Sequence, residues 1–536
     1  MQLAYEIYRN ASTRNLLPLL ISLWLLTMSD VPAHAQSIDK TRAPNLADDG
    51  IAKSLAEQIG AGRGDLATPN SSIFIINRDP FRSVRRGRQL FQRKFTRAEG
   101  LGPAVGDGAG DINSNLAIGA GFADSCAACH GRPRGSGGVG GTVATRPDSR
   151  DAPHLFGLGL KEMLADEITA DLRHTRDLAI AGAKAGRKAI TVPLSSKGIY
   201  YGFITASPDG SIDTTWVQGV NADLRVRPFF AHGDTISIHE FVVGALQDEM
   251  GLQAVDPDLA SAAAGGKITT PSGMVLDGSA DRIKAPPKNA AADPDQDGVS
   301  NEIPVSLVDH LEFYLLNYFK PGTYEQDQTT ARGLKIFHRI GCGGCHIQDL
   351  PIRRDRRVGD VETVYDTERG IFNNLFATAA TSIKIKDDGS GWPALKQPKL
   401  EPFLVRNIFT DFKRHDVGAG FYERDYDGTL RKEFLTTPLW GVGSTAPYGH
   451  DGRSINLSEA ILRHGGEARV ARDQFAQLGD NARGALLGFL NSLIIFPPDD
   501  TASNLNPGDR NAAGFPQFGH GSIRLPVLFN DPSDLE

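Results

Sequence analysis

The chain has 536 residues, of which 40% are hydrophobic and 23% charged, and its formal net charge at pH 7 is −7. This length allows roughly two to four domains with hydrophobic cores. The excess of acidic residues argues against nucleic acid and anionic membranes as partners. The 59 glycines and 31 prolines predict long structured loops between modest helices.

The N-terminal residues have the pattern of an export signal. Arg9 and Arg14 precede an apolar run at residues 16–28, and Ala33-His34-Ala35 offers small residues for a cleavage site. The competing interpretation is an uncleaved anchor, but the run is short for a membrane span. We therefore predict a signal peptide at residues 1–35, export to the periplasm, and no membrane span in the mature chain.

All four cysteines lie in two identical motifs, CAACH at residues 126–130 and CGGCH at residues 342–346. C-x-x-C-H is the signature of c-type haem attachment, in which two thiols form thioethers and the histidine ligates the iron. A zinc site would have to bring the two distant motifs together, and a disulfide in each motif would leave both histidines unexplained. We predict two covalently bound haems c, held by Cys126, Cys129 and His130 and by Cys342, Cys345 and His346.

Similar segments around the two motifs indicate two diverged copies of one domain. An R-G-x-x-L/I-F segment precedes each motif, at residues 86–91 and 332–337. We expect a helix at each place, crossing the last helix of its domain, and Thr330 as the cap of the second. Further similarity pairs residues 152–159 with 437–443, and MLADEI at 163–168 with NLSEAI at 456–461.

These patterns predict a mainly α fold with two cytochrome c-like haem domains, loop-rich insertions and a small β-hairpin element. The hairpin is expected at residues 198–220, around a turn at 207–210. Amphipathic helices are expected at residues 235–251 and 306–319, and the last helix at 482–493 with Asp480 as its cap. The predicted divisions are a lead-in at 36–85, a first haem domain at 86–188, a hairpin, helix and connector at 189–320, a second haem domain at 321–500, and an extended tail at 501–536.

Several segments resemble the bacterial di-haem oxidoreductases classed as putative peroxidases, relatives of di-haem cytochrome c peroxidase and of the methylamine-utilisation di-haem enzyme. The resemblance covers residues 86–496, and HDGR at 450–453 and RHGGEA at 463–468 make it specific. It implies that hydroperoxide is reduced at the first haem, with electrons relayed through the second from a donor cytochrome or another small redox protein. Rubber oxygenases share this architecture, so an oxygenase acting on an apolar substrate is one alternative, and a pure electron-transfer cytochrome is another.

The second haem is expected to have a histidine or tyrosine as its sixth ligand, because no methionine follows Met274. The resemblance to RHGGEA places this ligand at His464, ahead of His415, Tyr448, His450 and His520. Two tryptophans, Trp440 and Trp216, are candidates for a bridge between the haems, although core packing explains either of them.

The first haem is expected to be the reactive one. Moving a proton to the departing oxygen of a peroxide needs an acid–base group on the distal side. Glu167 occupies the place where the peroxidase pattern has a distal glutamine, so we predict Glu167 in this role and Glu162 as the second choice. In the electron-transfer alternative, His174 closes this haem instead.

Residues 293–298, DPDQDG, begin like a calcium loop. Pro304 stands where an EF-hand has its bidentate glutamate, which excludes a full EF-hand. A calcium loop completed by Asn301 or Glu302 and a solvated acidic turn both remain open. The related peroxidases hold calcium between their haems, so Ca2+ is a further predicted cofactor.

Overall fold

The structure is a computed structural model. It describes residues 54–101, 123–131, 137–140, 142–143, 150–286, 302–318, 322–323, 326–358, 387–392, 395–396, 401–424 and 428–494. The predicted signal peptide, the calcium loop at 293–298, His520 and the C-terminal tail lie outside these ranges. In the ranges that are described, no helix combines the length and the apolar character needed to cross a membrane.

The helices of the described residues follow one another in this order: α1 Leu55–Ile59, α2 Ser72–Arg78, α3 Pro80–Gln92, α4 Cys126–His130, α5 Leu158–Gly186, α6 Ile238–Met250, α7 Pro257–Ala263, α8 Val305–Asn317, α9 Gln328–Arg339, α10 Leu457–Arg463, α11 Arg469–Ala476 and α12 Asp480–Asn491. Single turns of 3-10 helix occur at Arg97–Glu99, Cys342–Gly344, Val442–Ser444 and Gly466–Ala468. The predicted helices at 235–251 and 306–319 are confirmed as α6 and α8.

The strands form small separate sheets. They are β1 Thr142–Val143, β2 Arg150–Asp151, β3 Ile190–Ser196, β4 Ile199–Ala206, β5 Ile212–Asp213, β6 Lys267–Thr269, β7 Val275–Asp277, β8 Gly322–Thr323, β9 Leu350–Ile352, β10 Phe403–Val405, β11 Arg414–Asp416, β12 Glu423–Arg424, β13 Leu430–Arg431, β14 Glu433–Leu435 and β15 Leu493–Ile494. The sheet β3-β4-β5 has three strands, and the two-stranded pairs are β1-β2, β6-β7, β8-β15, β9-β10, β11-β14 and β12-β13.

The fold is mixed rather than mainly α, because helices take up 41% and strands 15% of the described residues. Most strands have only two or three residues and pair with distant segments, as β9 does with β10. Such strands are too short to show the alternation by which a strand is detected in a sequence. The predicted fold class therefore missed most of the β structure.

The predicted β-hairpin is present but is part of a larger sheet. Strands β4 and β5 pair Thr205 with Asp213 across the expected turn. The longer hairpin joins β3 to β4 through Lys197 and Gly198, whose φ angles are 51° and 79°. Two successive positive φ angles suit a tight hairpin turn of the I′ type, and the sequence analysis did not recognise Lys-Gly as such a turn.

The two copies inferred from the sequence share one pattern of helix packing. Helix α3 crosses α8, and helix α9 crosses α12. A Cβ at Gly87 would lie 2.2 Å from the carbonyl oxygen of His310, and a Cβ at Gly333 would lie 2.0 Å from that of Ala485. The aromatic pairs beside these crossings also match, with Phe91–Tyr314 centroids 5.8 Å apart and Phe337–Phe489 centroids 5.7 Å apart. Glycine is required at both crossings because the helix backbones touch.

A second match supports the repeat. A Cβ at Gly159 would lie 2.0 Å from the carbonyl oxygen of Leu316, and one at Gly443 would lie 2.2 Å from that of Asn491. The similarity between residues 152–159 and 437–443 therefore reflects a shared structure. The copies differ after this point, since α5 starts at Leu158, whereas a 3-10 turn and a loop precede α10.

The predicted domain divisions, including the end of the first haem domain at residue 188, stay a prediction, but the packing of the first repeat extends beyond that residue. Helix α8, which was expected only to lead into the second domain, is almost wholly buried and is the partner of α3. The first repeat is therefore discontinuous in sequence. The cytochrome c-like character of the two repeats stays a prediction.

Two helix caps differ from the prediction. Asp327 rather than Thr330 caps α9, and Thr330 completes the capping box from within the first turn. Helix α12 begins at Asp480 itself, and its N-cap is Gly479. In each case the predicted cap lies inside the helix, where its polar side chain still suits the first turn.

Three hydrophobic cores position the motifs. The first surrounds α8 and includes Cys126 and Cys129 at its edge. The third lies between α9 and α12, with Cys342 at its edge. The second core lies along α5 and the β3-β4-β5 sheet, and it includes Trp440.

Replacing Gly333 with alanine should destabilise the protein by roughly 1–3 kcal/mol, because the added methyl group collides with the α12 backbone. Gly484 on α12 is the matched control: a Cβ there meets no atom within 4 Å. Gly484→Ala should leave stability unchanged or raise it by up to about 1 kcal/mol. Denaturant unfolding of the haem-loaded proteins measures both effects, and equal stability of the two variants would contradict the close helix crossing.

Candidate haem sites

The first motif forms helix α4, which Ser125 caps by accepting a hydrogen bond from the Ala128 amide at 3.1 Å. Cys126 and Cys129 are one turn apart, and both thiols are free of disulfides. Burial raises the pKa of Cys126 to about 12 and that of Cys129 to about 11, so both are protonated thiols near neutral pH. The motif therefore presents two unoccupied thiols on one turn.

His130 is held in one tautomer. Its Nδ1 donates to the carbonyl oxygen of Pro153 at 2.7 Å, which makes Nε2 the nitrogen that can bind iron. Burial lowers the pKa of His130 to about 4, so the ring is the neutral imidazole that ligates metals. A carbonyl on the outer nitrogen also fixes the ring orientation of a metal ligand.

The second motif repeats this arrangement with a different carbonyl. Cys342 starts a 3-10 turn, and Nδ1 of His346 donates to the carbonyl oxygen of Phe409 at 3.0 Å. Burial lowers the pKa of His346 to about 4. Phe337, Phe409 and Phe489 pack against one another behind the ring.

A metal cluster without haem fits the second motif less well. Cys345, Asp411 and His415 come within metal-binding reach of one another. His415, however, hydrogen-bonds through both nitrogens, to Asp411 and to Glu467, at 2.8 Å each. Burial lowers the pKa of His415, but its contacts with Asp411 and Cys345 raise it to about 11, and a doubly protonated ring has no lone pair for a metal. Two free thiols and a neutral histidine at each motif fit covalent haem.

His464 is held in the same tautomer as the two motif histidines, with Nδ1 donating to a backbone carbonyl oxygen. It follows the last residue of α10, and its Nδ1 donates to the carbonyl oxygen of Ala460 at 2.7 Å. Its ring faces Phe421 edge-on, 5.2 Å between centroids. A charge on His464 would add to burial in lowering the pKa of His346, so the two rings lie within each other's electrostatic reach.

The other candidates for the sixth ligand are placed differently. Both nitrogens of His415 are engaged, and the Tyr448 hydroxyl donates to the carbonyl oxygen of Val442 at 2.9 Å. His450 is buried against Phe434, and its Nε2 has no hydrogen-bond partner among the described residues. Of the remaining candidates, His464 therefore has the geometry that suits a ligand opposite His346.

The other histidines considered for the first haem do not combine an Nδ1 donor bond to a backbone carbonyl with a free Nε2. His154 donates from Nε2 to the carbonyl oxygen of Trp440 at 3.0 Å, and its Nδ1 accepts from the Phe156 amide at 3.2 Å. His174 is exposed on α5. Neither offers a free nitrogen directed at His130.

Residues 350–493 match the family model described as "Di-haem oxidoreductase, putative peroxidase". These residues, called the matched segment below, are therefore similar to that family over about a quarter of the chain. The resemblance inferred from HDGR and RHGGEA is confirmed over this range, which starts after the second motif. Among solved structures, hydrazine synthase from Kuenenia stuttgartiensis under xenon pressure is 13% identical over 85% of this chain and 100% of that chain. The TM-score of 0.33 is too low to indicate a shared fold. No curated protein matches the chain.

The predicted distal residue Glu167 joins the first repeat to the matched segment at residues 350–493. Lys197 donates to its Oε2 at 2.5 Å, and the amides of Arg353 and Arg354 donate to its Oε1 at 2.8 and 3.1 Å. These contacts engage both carboxylate oxygens, and none of them is with the first motif. An acid–base role for Glu167 stays a prediction.

The second choice, Glu162, has the chemistry of an acid–base group. It is 1% exposed, accepts from the Ile238 amide at 2.7 Å, and pairs with Arg356 at 2.7 Å. Burial raises the pKa of Glu162 to about 7, although Arg356 opposes this increase. A carboxyl group that titrates near neutral pH both releases and accepts protons efficiently.

Lys161, which sequence reasoning missed, lies beside Glu162. Its ammonium group lies 5.4 Å from the centre of the Phe229 ring, and burial lowers its pKa to about 8. No acidic partner for it is found in the described parts of the chain. Its charge also adds to burial in lowering the pKa of His154, so the two side chains lie within electrostatic reach of each other. No sequence pattern distinguishes such a lysine from an exposed one on α5.

The matched segment contacts the first repeat at two places. The Asp151 amide donates to the carbonyl oxygen of His450 at 2.9 Å. A Cβ at Gly157 would lie 2.8 Å from the Trp440 ring, and Trp440 is 3% exposed. Trp216 is 60% exposed and stacks on Phe203. Of the two tryptophans proposed as a bridge, Trp440 lies between the repeats and Trp216 lies on the surface.

A further cluster of possible metal ligands contains His239, Asp256 and Asp258. His239 is fully buried and donates to Asp256 at 2.7 Å and to Glu312 at 2.9 Å. The two carboxylates raise the pKa of His239 well above its usual value despite burial. The ring is therefore a doubly bonded imidazolium, and this cluster is an internal ion network between α6, α7 and α8.

Proposed function

We propose that the chain is an exported c-type di-haem oxidoreductase that reduces hydroperoxide at the first haem with electrons relayed through the second. The observation that carries this proposal is the difference between the repeats on the side opposite the motif histidine. In the second repeat, Nδ1 of His464 is held by a backbone carbonyl and Nε2 is free to bind iron. In the first repeat, both nitrogens of His154 are engaged and His174 is exposed.

This difference assigns different roles to the two sites. His346 and His464 would hold the second iron from both sides, an arrangement that suits electron transfer. His130 would hold the first iron from one side and leave the other side open. A haem iron that has a single protein ligand would supply a free coordination position for peroxide and would exchange single electrons. Reducing one hydrogen peroxide to two waters consumes two electrons from the donor and two protons.

The chain's own groups supply proton transfer and positioning. Glu162 is our acid–base candidate ahead of Glu167, because burial raises the pKa of its carboxyl group to about 7. Its two carboxylate oxygens accept from the Ile238 amide and from Arg356. Trp440 and His154 connect the repeats through the indole–Gly157 contact and the His154–Trp440 hydrogen bond. They support an electron path between the haems.

Location and calcium are proposed on sequence grounds alone. The predicted signal peptide and two c-type attachment motifs support export to the periplasm. A Ca2+ ion at residues 293–298 is proposed from the alternating carboxylates there.

The proposal is tested on the purified haem-loaded protein. Mass spectrometry should show two haem additions, and paramagnetic resonance should show one high-spin and one low-spin ferric centre. Hydrogen peroxide should oxidise the reduced protein within a stopped-flow measurement. Two low-spin centres without peroxide reaction would instead indicate an electron carrier, and oxygen uptake with an apolar polymer would indicate an oxygenase.

A further inference from the structure

Helix α9 carries three exposed cations on one side. Arg332, Lys335 and Arg339 are spaced at i, i+3 and i+7, which places them on a single helix face, and all three are exposed. No acidic residue occurs within Gln328–Arg339. None of the three makes an ion pair with any residue in the described ranges. We call these three residues the cationic face.

The equivalent helix of the first repeat shows that such a face is normally covered. Arg86 is the counterpart of Arg332, but it is only 4% exposed and donates to Asn70 at 3.2 Å. Helix α2 packs on α3 there. In a chain with a net charge of −7, three cations on one exposed face of α9, without an ion-pair partner in the described ranges, form a distinct local surface.

The cationic face leads directly into the second motif. Arg339 ends α9 three positions before Cys342, and Gly344 is exposed. A Cβ at Gly341 would lie 3.9 Å from Ala471, so the start of α11 adjoins the motif. Val470 in that turn is 63% exposed. A cationic helix face that ends at the second C-x-x-C-H motif, with an exposed apolar residue in the adjoining helix, forms a surface suited to brief docking of a redox protein.

We propose that the cationic face docks a small acidic redox protein that delivers electrons to the second haem. This inference rests on the proposed function, because it assumes a haem at Cys342 and Cys345. In each encounter the donor's metal centre loses one electron and the second haem iron gains it. Long-range attraction between the acidic donor and the three cations raises the association rate and weakens as salt is added.

The test uses the haem-loaded protein and stopped-flow reduction of the second haem. The protein probe is a reduced plant-type [2Fe–2S] ferredoxin, which is acidic and has a potential near about −400 mV. Reversing all three charges, with Arg332→Glu, Lys335→Glu and Arg339→Glu, should lower its second-order rate constant at low salt on the order of tenfold or more. The rate should also lose most of its salt dependence. Reduced methyl viologen, a small cation that needs no docking surface, should reduce the variant as fast as the parent or faster.

The matched control reverses three exposed cations at the C-terminal end of α5 and just after it, with Lys184→Glu, Arg187→Glu and Lys188→Glu. This variant has the same net charge, and its ferredoxin rate should stay within about twofold of the parent. Equal losses in both variants would show a net-charge effect and overturn the docking face, as would an unchanged rate in the first. A faster ferredoxin rate after removal of residues 495–536 would show that the chain's own tail occupies the face. Failure of methyl viologen to reduce any second haem would instead refute the proposed function.

Discussion

Replacing His464 with alanine should convert the second haem from low-spin to high-spin and leave the first unchanged. The reason is the tautomer of the ring: Nδ1 of His464 donates to the Ala460 carbonyl oxygen, so Nε2 is the nitrogen that would hold the iron. Loss of that nitrogen opens one side of the iron. Optical and paramagnetic-resonance spectra of the purified variant measure the change as a complete loss of one low-spin signal.

His450→Ala is the matched control for this experiment. His450 is another partly buried histidine of the same segment, but its ring stacks on Phe434 and its Nε2 lies 4.0 Å from Glu423 Oε2. Its removal should leave the low-spin signal in place. If His464→Ala keeps that signal and His450→Ala loses it, the assignment must be exchanged, because Nε2 of His450 lacks a partner in the described structure.

Replacing Glu162 with glutamine should slow the reaction with hydrogen peroxide by about a hundredfold or more, the contribution expected of an acid–base group. Glutamine still accepts the hydrogen bond from the Ile238 amide but carries no titrating proton. Stopped-flow mixing of the reduced protein with peroxide measures the rate. Haem content and thermal unfolding show whether the Arg356 pair has been disturbed.

Glu167→Gln separates the two carboxylates. Because Glu167 is committed to Lys197 and to the amides of residues 353 and 354, the variant should lower thermal stability while its peroxide rate stays within a few fold of the parent. A slow peroxide reaction in Glu167→Gln together with a normal one in Glu162→Gln would return the distal acid–base role to Glu167, as first predicted from the sequence. Glu162→Asp, which keeps a carboxyl group, should retain part of the activity if Glu162 moves the proton.

The sequence was sufficient to predict local structure that consecutive residues encode. The amphipathic helix now bounded as Ile238–Met250 and the R-G-x-x-L/I-F helices are local patterns, and their periodicity or spacing survives folding. Haem attachment at the two C-x-x-C-H motifs stays a prediction. The segment RHGGEA also placed His464 next to a helix end. The structure supports this position through the Ala460 carbonyl and Phe421.

The sequence failed where partners come from distant segments. Nothing near Glu167 indicates that Lys197 and the 353–354 amides engage both of its oxygens, since these lie on a hairpin turn and after β9. The burial that gives Glu162 a pKa near 7 depends on α6, α8 and Arg356 together. Pairing of α3 with α8 was hidden for the same reason, because the crossing glycine is visible in the sequence but its partner is not.

That pairing has a consequence for the order in which the chain matures. Ser83 of α3 bonds His310 of α8 at 2.9 Å across 227 positions, and Cys126 and Cys129 lie within this span. The first site cannot close until the chain has emerged as far as residue 317. The second repeat closes α9 against α12 over a shorter stretch that contains its own motif, at a smaller loop-closure cost. If the chain is exported from its N-terminus, as proposed above, the thiols of the first motif stay accessible for longer than those of the second, which leaves more time for haem insertion at the first site.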